Sequence, residues 1–313
     1  MLYATFVVPA PNGCNLRCPG CAIAQRGEAK EYELSHKDYV NFLADVLTHF
    51  KVGRVGIQGY EPLLPEAWPL TRKLLKLAAA CFAETSLITN GVYLPEHAGE
   101  LARMLDSITV SLNSADAEIH DKTRGVNGAF AKALKGIRGI RSATGVFSEG
   151  SITVNSVLYP KKAHFLEGMA ELLAEVGVRH WLISPFIQFK KGRPVSDAKF
   201  IRDTILHFSD HAEKLGVKVS LSDELGVLRE NEDPFEKLSV EALEDAAGFF
   251  RLSPDASCSR GKEALEIASG APKWDRVEKP NIFLERIFGE INRPLRKRKI
   301  RWLARVMLSI ATR

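Results

Sequence analysis

Apolar residues follow two alternating patterns along the first 190 residues of the chain. Short runs rich in branched and aromatic side chains are typical of strands, whereas apolar residues three or four positions apart are typical of amphipathic helices. The predicted strands cover residues 2–8, 54–59, 86–90, 107–112, 151–159 and 180–186. The predicted helices are a segment that begins at Ser35 and the segments 67–83, 95–105, 127–142 and 163–176.

Strands that alternate with helices predict an α/β fold with a parallel sheet. Right-handed crossover connections curl such a sheet towards a barrel or a partial barrel. In folds of this kind the functional groups gather at the carboxyl ends of the strands. The candidates in such positions are the cysteine-rich stretch after the first strand, Gly59–Pro62, Asn90–Gly91, Asn113 and Pro185.

The pattern changes after residue 190. A helix is predicted at about 196–215, a strand at 217–221, and a strand with a turn at 248–261. We therefore expect a core barrel of residues 1–190 and a C-terminal α/β extension of residues 191–290 that covers the barrel mouth. Residues 291–313 form a separate basic, amphipathic tail.

The tail concentrates the positive charge of the chain. The net charge is +5, and residues 293–313 contain eight Lys or Arg residues and no acid, so the rest is mildly acidic. Its apolar residues fall largely on one side at helical spacing: Leu295, Trp302, Leu303, Val306, Met307 and Ile310. This pattern favours an anionic membrane surface as a partner, and nucleic acid is not expected although phosphate contacts need little beyond Lys and Arg. The alternative is a helix docked on the barrel with a solvated charged rim.

Composition places the chain among ordinary globular proteins. Hydrophobic residues make up 45% and charged residues 26% of the 313 positions, enough for a sizeable core. No apolar run approaches the ~18 residues that a spanning helix requires. The apolar first residues lack a basic segment and predict a buried strand instead of a signal peptide, so a cytoplasmic location is expected.

Three of the five cysteines, Cys14, Cys18 and Cys21, lie within eight positions. At this length and spacing a disulfide framework is not expected. Three thiolates can hold three irons of a [4Fe–4S] cluster and leave the fourth iron open to another ligand. The alternatives are coincidence and a structural zinc site, which needs four protein ligands, while the nearest histidine, His36, lies fifteen residues past Cys21.

The segment Gly13–Cys21, GCNLRCPGC, resembles the signature of the radical S-adenosylmethionine (SAM) superfamily. The resemblance extends over residues 3–190 and implies a partial (β/α)6 barrel, TIM-like in its layout. It implies a [4Fe–4S] cluster held by Cys14, Cys18 and Cys21, with SAM on the open iron. One electron then cleaves SAM to a 5′-deoxyadenosyl radical, which abstracts hydrogen from a substrate. A low-potential donor such as flavodoxin or ferredoxin is implied as the partner.

The resemblance also implies a set of cofactor-binding residues. Gln58–Pro62 resembles the Gly-Gly-Glu-Pro segment that receives the SAM amino group, with Tyr60 inserted. Arg124 is predicted to pair with the SAM carboxylate, because a guanidinium binds carboxylates through two hydrogen bonds, and a surface arginine is the alternative. Asn155 matches a position that contacts ribose or carboxylate. The complete predicted set is Gly59, Tyr60, Glu61, Pro62, Asn90, Ser111, Asn113, Arg124 and Asn155.

The fifth cysteine, Cys258, ends a segment at 252–258 that resembles the start of a cysteine-rich extension carrying auxiliary clusters in relatives. With one cysteine there, an auxiliary cluster is not expected. A thiol can return a hydrogen atom to a substrate radical, so Cys258 is a candidate catalytic donor in a redox-neutral epimerisation. The alternative is a bystander thiol, as is also expected for Cys81 in its apolar run.

Several functions remain open at this stage. An epimerase or isomerase acting on a small molecule, lipid or peptide is the first hypothesis. A radical SAM dehydrogenase, a C–C bond-forming enzyme or a lipid-modifying enzyme is the second. A non-catalytic Fe–S protein that binds membrane or nucleic acid through its tail is the third. Tyr60, His120, His164, Gln188 and Lys190 are further candidates to face the cavity.

Overall fold

The structure is a computed structural model. It describes residues 2–10, 12–19, 21, 35–49, 52–143, 151–188, 193–194, 196, 198–222, 240–241, 248–252 and 258–260. These residues form two compact units. The first lies within residues 1–12, 29–86 and 246–313, and the second lies within residues 13–28 and 87–245.

The first unit has a strand at its centre, β1 (Leu2–Val8), that is parallel to both of its neighbours. These neighbours are β2 (Val52–Gly59) and β11 (Gly248–Leu252), and β12 (Cys258–Arg260) adds to β11 in the antiparallel direction. Two helices follow the first two strands, α1 (His36–His49) and α2 (Trp68–Ala80). The third strand, β3 (Glu84–Thr89), begins in this unit and ends in the second.

A capping box formed by Ser35 and Asp38 lies at the start of α1. The backbone N–H and the hydroxyl of Ser35 both donate to Asp38 Oδ2, at 2.8 and 2.7 Å, and Asp38 N–H lies 3.3 Å from the Ser35 hydroxyl. This exchange satisfies donors that a helix N-terminus leaves unpaired. The helix then buries Val40 and Leu43, two of its predicted apolar positions.

The second unit contains a parallel sheet in the order β4, β5, β6, β9, β10. The strands are β4 (Ser107–Ser111), β5 (Ile152–Leu158), β6 (His180–Pro185), β9 (Lys218–Ser222) and β10 (Val240–Glu241). The pair β7 (Ile187–Gln188) and β8 (Arg193–Pro194) forms a separate antiparallel hairpin. Parallel neighbours require crossover connections, and described helices occur in the chain between β4 and β5, between β5 and β6 and between β6 and β9.

The helices of the second unit are α3 (Leu94–Leu101), α4 (Ala117–Arg124), α5 (Ala129–Ser142), α6 (Met169–Glu175) and α7 (Ala198–Lys214). Side chains alternate between buried and partly exposed along β4, β5 and β6. The buried positions form the core of the unit, with Val110, Val154 and Trp181 among the fully buried residues. In the described part of the chain, no helix is both long and apolar enough to cross a bilayer.

Two helical predictions need correction. The short helix α4 was not predicted, because its sequence AEIHDKTR is polar and shows no apolar face. The segment 163–176 was predicted as one helix but forms a 3-10 turn (Ala163–Leu166) followed by α6. Gly168 separates the two with a φ of +72°, a left-handed backbone that no helix interior adopts.

Candidate active site

The three clustered cysteines lie on one loop of the second unit, and all three are partly buried and form no disulfide. The Cys14 sulfur is met by two N–H donors, the Leu16 backbone at 3.5 Å and the Asn90 side chain at 3.6 Å. Leu16 is buried with Val92 and Ala129, which anchors the loop in the core of this unit. The cysteine loop therefore has a defined shape that aims sulfur at backbone and amide donors.

Asn90 connects the end of β3 to the cysteine loop. Its amide nitrogen also donates to Asn15 Oδ1 at 2.9 Å, and its amide oxygen accepts the Val92 N–H at 3.0 Å. The next residue, Gly91, has a φ of +81°, and a Cβ there would lie 2.9 Å from both Ala133 Cβ and Val110 Cγ1. This close packing explains the glycine and fixes Asn90 beside Cys14.

The C-terminal end of α4 supports the middle of the loop. The Arg17 N–H donates to the Arg124 carbonyl at 2.9 Å, and the Cys18 sulfur lies 3.8 Å from the same oxygen. The Arg124 Nη1 lies 3.9 Å from the Cys18 sulfur. Arg124 therefore contacts the cysteine loop through both its backbone carbonyl and its side chain.

Arg124 is held in place by Asn113. Its Nη2 donates to Asn113 Oδ1 at 3.1 Å, and the same oxygen accepts the Val157 N–H at 3.2 Å. The Asn113 amide nitrogen donates to the Thr123 hydroxyl at 2.9 Å. Asn113 and Arg124 are both buried, and Arg124 Nε has no hydrogen-bond partner among the described residues. The guanidinium therefore keeps one buried donor for an external acceptor.

His120 and Tyr159 complete the surroundings of Asn113. His120 is fully buried, and its Nδ1 accepts the Asn113 N–H at 3.1 Å, so the ring proton is assigned to Nε2. Burial, helped by the nearby Arg124 charge, lowers the pKa of His120 to about 3, so the ring is neutral. The Tyr159 hydroxyl lies 3.5 Å from Asn113 Nδ2, and burial raises the pKa of its phenol.

Ser111 and Asn155 are neighbours in the sheet, paired across β4 and β5. The Asn155 amide oxygen accepts a hydrogen bond from the Ser184 hydroxyl of β6 at 2.8 Å. The side chains of Ser111 and Asn155 are only partly buried. No described contact joins Ser111 or Asn155 to the cysteine loop. These two predicted cofactor-binding residues are therefore not in contact with the cysteines in the described part of the chain.

The predicted residues Gly59–Pro62 lie in the first unit, where Gly59 ends β2 and the other three follow it. Gly59 has a φ of +135°, and a Cβ there would lie 2.7 Å from the Val8 carbonyl, so the backbone needs glycine. Glu61 is buried, and its carboxylate accepts the Leu63 N–H at 3.1 Å. The Pro62 carbonyl accepts the Thr71 hydroxyl at 2.9 Å. This turn is rigid, as a backbone binding segment requires, and Tyr60 beside it is partly buried.

Cys258 belongs to the first unit. It begins β12, where its Cα pairs with Leu252 of β11, which in turn pairs with Phe6 of β1. Phe6 is two residues from the end of β1, so the backbone of Cys258 lies towards the carboxyl end of that strand. Lys190 and the tail at 291–313 lie outside the described residues, as does much of the extension at 191–290.

Clustered cysteine thiols can hold either a single metal ion or an iron–sulfur cluster. In the described part of the chain, no group of three or more His, Cys, Asp or Glu side chains is arranged around one metal ion. A cluster needs thiolates on separate irons, and the donors at Cys14 and the guanidinium at Cys18 fit that role.

Sequence reasoning missed part of this arrangement. Asn15, His120, Thr123 and Tyr159 all contact predicted site residues. His120 was considered only as a cavity-facing residue, but it is buried behind Asn113. Tyr159 directly follows β5, and its position at a strand end is the signal that could have identified it.

Comparison with known proteins supplies the family context. The sequence profile of the Radical SAM superfamily matches residues 8–162, about half of the chain. A probable GTP 3′,8-cyclase of Methanopyrus kandleri is 34% identical over 188 residues, which is 58% of this chain and 56% of that protein. The antilisterial bacteriocin subtilosin biosynthesis protein AlbA of Bacillus subtilis is 26% identical over 63% of this chain and 43% of its own length. The chain spans about half the length of these relatives.

Solved structures show the same fold at low sequence identity. Streptococcus suis SuiB bound to S-adenosylmethionine superposes with a TM-score of 0.60 at 14% identity, over 82% of this chain and 59% of that one. SuiB bound to the precursor peptide SuiA gives 0.61 at 13% identity, over 88% of this chain and 66% of that one. This likeness confirms the predicted α/β fold with a parallel, partial-barrel sheet.

Proposed function

Because the chain belongs to the radical SAM superfamily, we propose that it is an enzyme that cleaves SAM reductively and abstracts hydrogen from a substrate. The superfamily uses a [4Fe–4S] cluster and SAM as cofactors. When bound, the two together supply a 5′-deoxyadenosyl radical, and the protein supplies binding, orientation and exclusion of water. The observation that carries the proposal is the cysteine loop, in which the Cys14 sulfur meets the N–H groups of Leu16 and Asn90 and the Cys18 sulfur lies beside the Arg124 guanidinium.

Different residues of the second unit have different proposed roles in binding the cluster and SAM. Cys14, Cys18 and Cys21 hold three irons of the cluster. Arg124 offers its Nε–H to the SAM carboxylate, because this buried group has no hydrogen-bond partner among the described residues. Asn90 orients the loop, and Asn113 orients the guanidinium. Neutral His120 keeps the Asn113 backbone in place.

Other parts of the SAM site are proposed on the resemblance together with local geometry. Gly59–Pro62 presents its backbone to the SAM amino group, and the glycine backbone and capped turn support that role. Ser111 and Asn155 bind ribose or carboxylate from the partly exposed positions of β4 and β5. Ser184 aids Asn155 by donating to its amide oxygen, which leaves the amide nitrogen as a donor.

A peptide is the substrate class we favour, with a small molecule as the alternative. The support is the fold shared with SuiB, which has been solved with a precursor peptide, and the similarity to a bacteriocin biosynthesis protein. Reduction requires a low-potential donor, flavodoxin or ferredoxin. Dehydrogenation, C–C bond formation and lipid modification remain the runner-up reactions. An anionic membrane partner for the tail concerns residues outside the described part of the chain.

The proposed activity is tested by anaerobic reconstitution with iron and sulfide, followed by reduction with dithionite in the presence of SAM. We expect 5′-deoxyadenosine to form in a reductant-dependent manner, measured by liquid chromatography. Omitting dithionite is the control and should leave SAM intact. A fully assembled cluster that never yields 5′-deoxyadenosine would contradict the proposal and favour a non-catalytic Fe–S protein.

Redox-neutral epimerisation is the finer proposal, with Cys258 as the hydrogen donor. The substrate loses a hydrogen atom, and the thiol returns one from the opposite face, leaving a thiyl radical that one electron and one proton from the donor system restore. In deuterium oxide, turnover of a candidate precursor peptide should place one solvent deuterium in the product. Cys258→Ala should block this while 5′-deoxyadenosine still forms. Product without solvent deuterium removes this role of Cys258.

A further inference from the structure

We propose that Gly125 is a positioning residue for the cluster, because the turn at the end of α4 acts as a template for the cysteine loop. The inference rests on the proposed function, since it concerns the same cluster. It differs from the ligand set, because Gly125 contributes no side chain to the cluster. The template is formed by Arg124 and Gly125, and the segment shaped against it is centred on Arg17 and Cys18.

The closest approach between the turn and the loop occurs at Gly125. This residue caps α4 with a φ of +69°, and its N–H donates to the Asp121 carbonyl at 2.7 Å. A Cβ at Gly125 would lie 2.6 Å from the Arg17 carbonyl oxygen and 2.9 Å from Arg17 Cβ. Those distances are shorter than real contacts, and the obstructing oxygen is backbone, so some part of the backbone would have to move.

The turn itself is the less movable partner. The Asp121 carboxylate accepts the backbone N–H of Gly128 at 2.5 Å and of Phe130 at 2.8 Å, which ties the residues after Gly125 to α4. The Val126 N–H lies 3.3 Å from the Asp121 carbonyl as well. An added methyl group at Gly125 would therefore displace the cysteine loop instead of the turn.

Displacement of Arg17 would reach two of the three thiols. Cys18 is the next residue, and its sulfur lies within 4 Å of both the Arg124 carbonyl and its guanidinium. The Arg17 Nη1 donates to the Cys14 carbonyl at 2.7 Å, so the side chain also links the clashing residue to Cys14. Metal sites tolerate deviations of about 0.2 Å in ligand distance, less than the shift that this contact demands.

Gly128 provides a matched control. It lies three residues further on, also has a left-handed backbone with a φ of +81°, and also belongs to this turn. A Cβ there would meet nothing within 4 Å. Alanine at either position carries similar left-handed strain, so a difference between the variants isolates the contact with Arg17.

The test compares Gly125→Ala, Gly125→Asn and Gly128→Ala in the full-length chain with wild type. Asparagine tolerates the left-handed backbone but keeps a Cβ, so it separates strain from contact. After anaerobic reconstitution, iron per chain and the electron paramagnetic resonance spectrum of the reduced cluster are recorded, with and without SAM. We expect Gly128→Ala to match wild type and both Gly125 variants to lose at least half of the iron or to show altered spectra.

A second readout does not need the cluster. In the reduced apoprotein, the rate at which iodoacetamide alkylates Cys18 is followed by peptide mass spectrometry. Both Gly125 variants should change this rate at least twofold relative to Gly128→Ala. Equal iron, spectra and alkylation rates across all variants would overturn the inference. Wild type that assembles a cluster but does not cleave SAM defeats the proposed function alone.

Discussion

Replacing Cys18 by alanine is expected to abolish cluster assembly and, with it, SAM cleavage. The variant leaves two thiols on the loop, and two thiolates cannot hold three irons of a cube. It also removes the sulfur that lies 3.9 Å from Arg124 Nη1, so a buried guanidinium loses a neighbouring contact. Iron content, the absorbance of the reconstituted protein and 5′-deoxyadenosine formation should all fall to background.

The chain contains a suitable control cysteine. Cys81 follows α2 in the first unit, where burial raises the pKa of its thiol and keeps it protonated. Cys81→Ala should retain full iron content and SAM cleavage, with the free energy of unfolding changed by about 1 kcal/mol or less. Iron retained by Cys18→Ala, or lost by Cys81→Ala, would show that the cluster is held elsewhere.

Replacing Asn113 by leucine is expected to destabilise the protein and to disorganise the site at once. Leucine has nearly the same size but removes the acceptor shared by Arg124 and Val157 and the donor to Thr123. A buried guanidinium without this acceptor costs roughly 2–4 kcal/mol. Thermal unfolding of the reduced apoprotein should report a loss of about 5–15 °C.

Asn113→Asp is the matching control. A carboxylate keeps the acceptor for Arg124 and converts that hydrogen bond into an ion pair, so the stability should stay within about 1 kcal/mol of wild type. Asn113→Leu should also weaken the change that SAM causes in the cluster spectrum, because Arg124 loses its orientation. If leucine is tolerated as well as aspartate in both measurements, Asn113 does not organise the guanidinium.

Much of the fold followed from local patterns. The strands 2–8, 107–112 and 180–186 were predicted within one or two residues because each is a short run rich in branched and aromatic side chains. The helix α4 escaped because it is held by its termini: Asp116 caps its start at 2.9 Å and Gly125 its end. Most side chains of this helix are polar, so hydrophobic periodicity could not predict it.

The candidate site, like the fold, could be predicted only in part from the sequence. The spacing of Cys14, Cys18 and Cys21 and the resemblance of their segment to a family signature predicted three cluster ligands, and that assignment stays a prediction. The roles of Asn113 and His120 were not predictable, because they depend on contacts between residues that are distant in sequence or on different elements. Gly125 shows this limit most clearly. A glycine at this point in the sequence indicates a turn, but its close approach to Arg17 is visible only in the structure.

Arg124 has one further consequence, which comes from the neutrality of its partner. Asn113 supplies an amide and no charge, and no carboxylate pairs with Arg124 in the described part of the chain. The positive charge of Arg124 is therefore not neutralised by a described carboxylate, and it lies 3.9 Å from the Cys18 sulfur. Nearby positive charge makes an iron–sulfur centre easier to reduce. If the proposed cluster forms at the cysteine loop, we expect the neutral amide at position 113 to make it easier to reduce than a carboxylate at that position would.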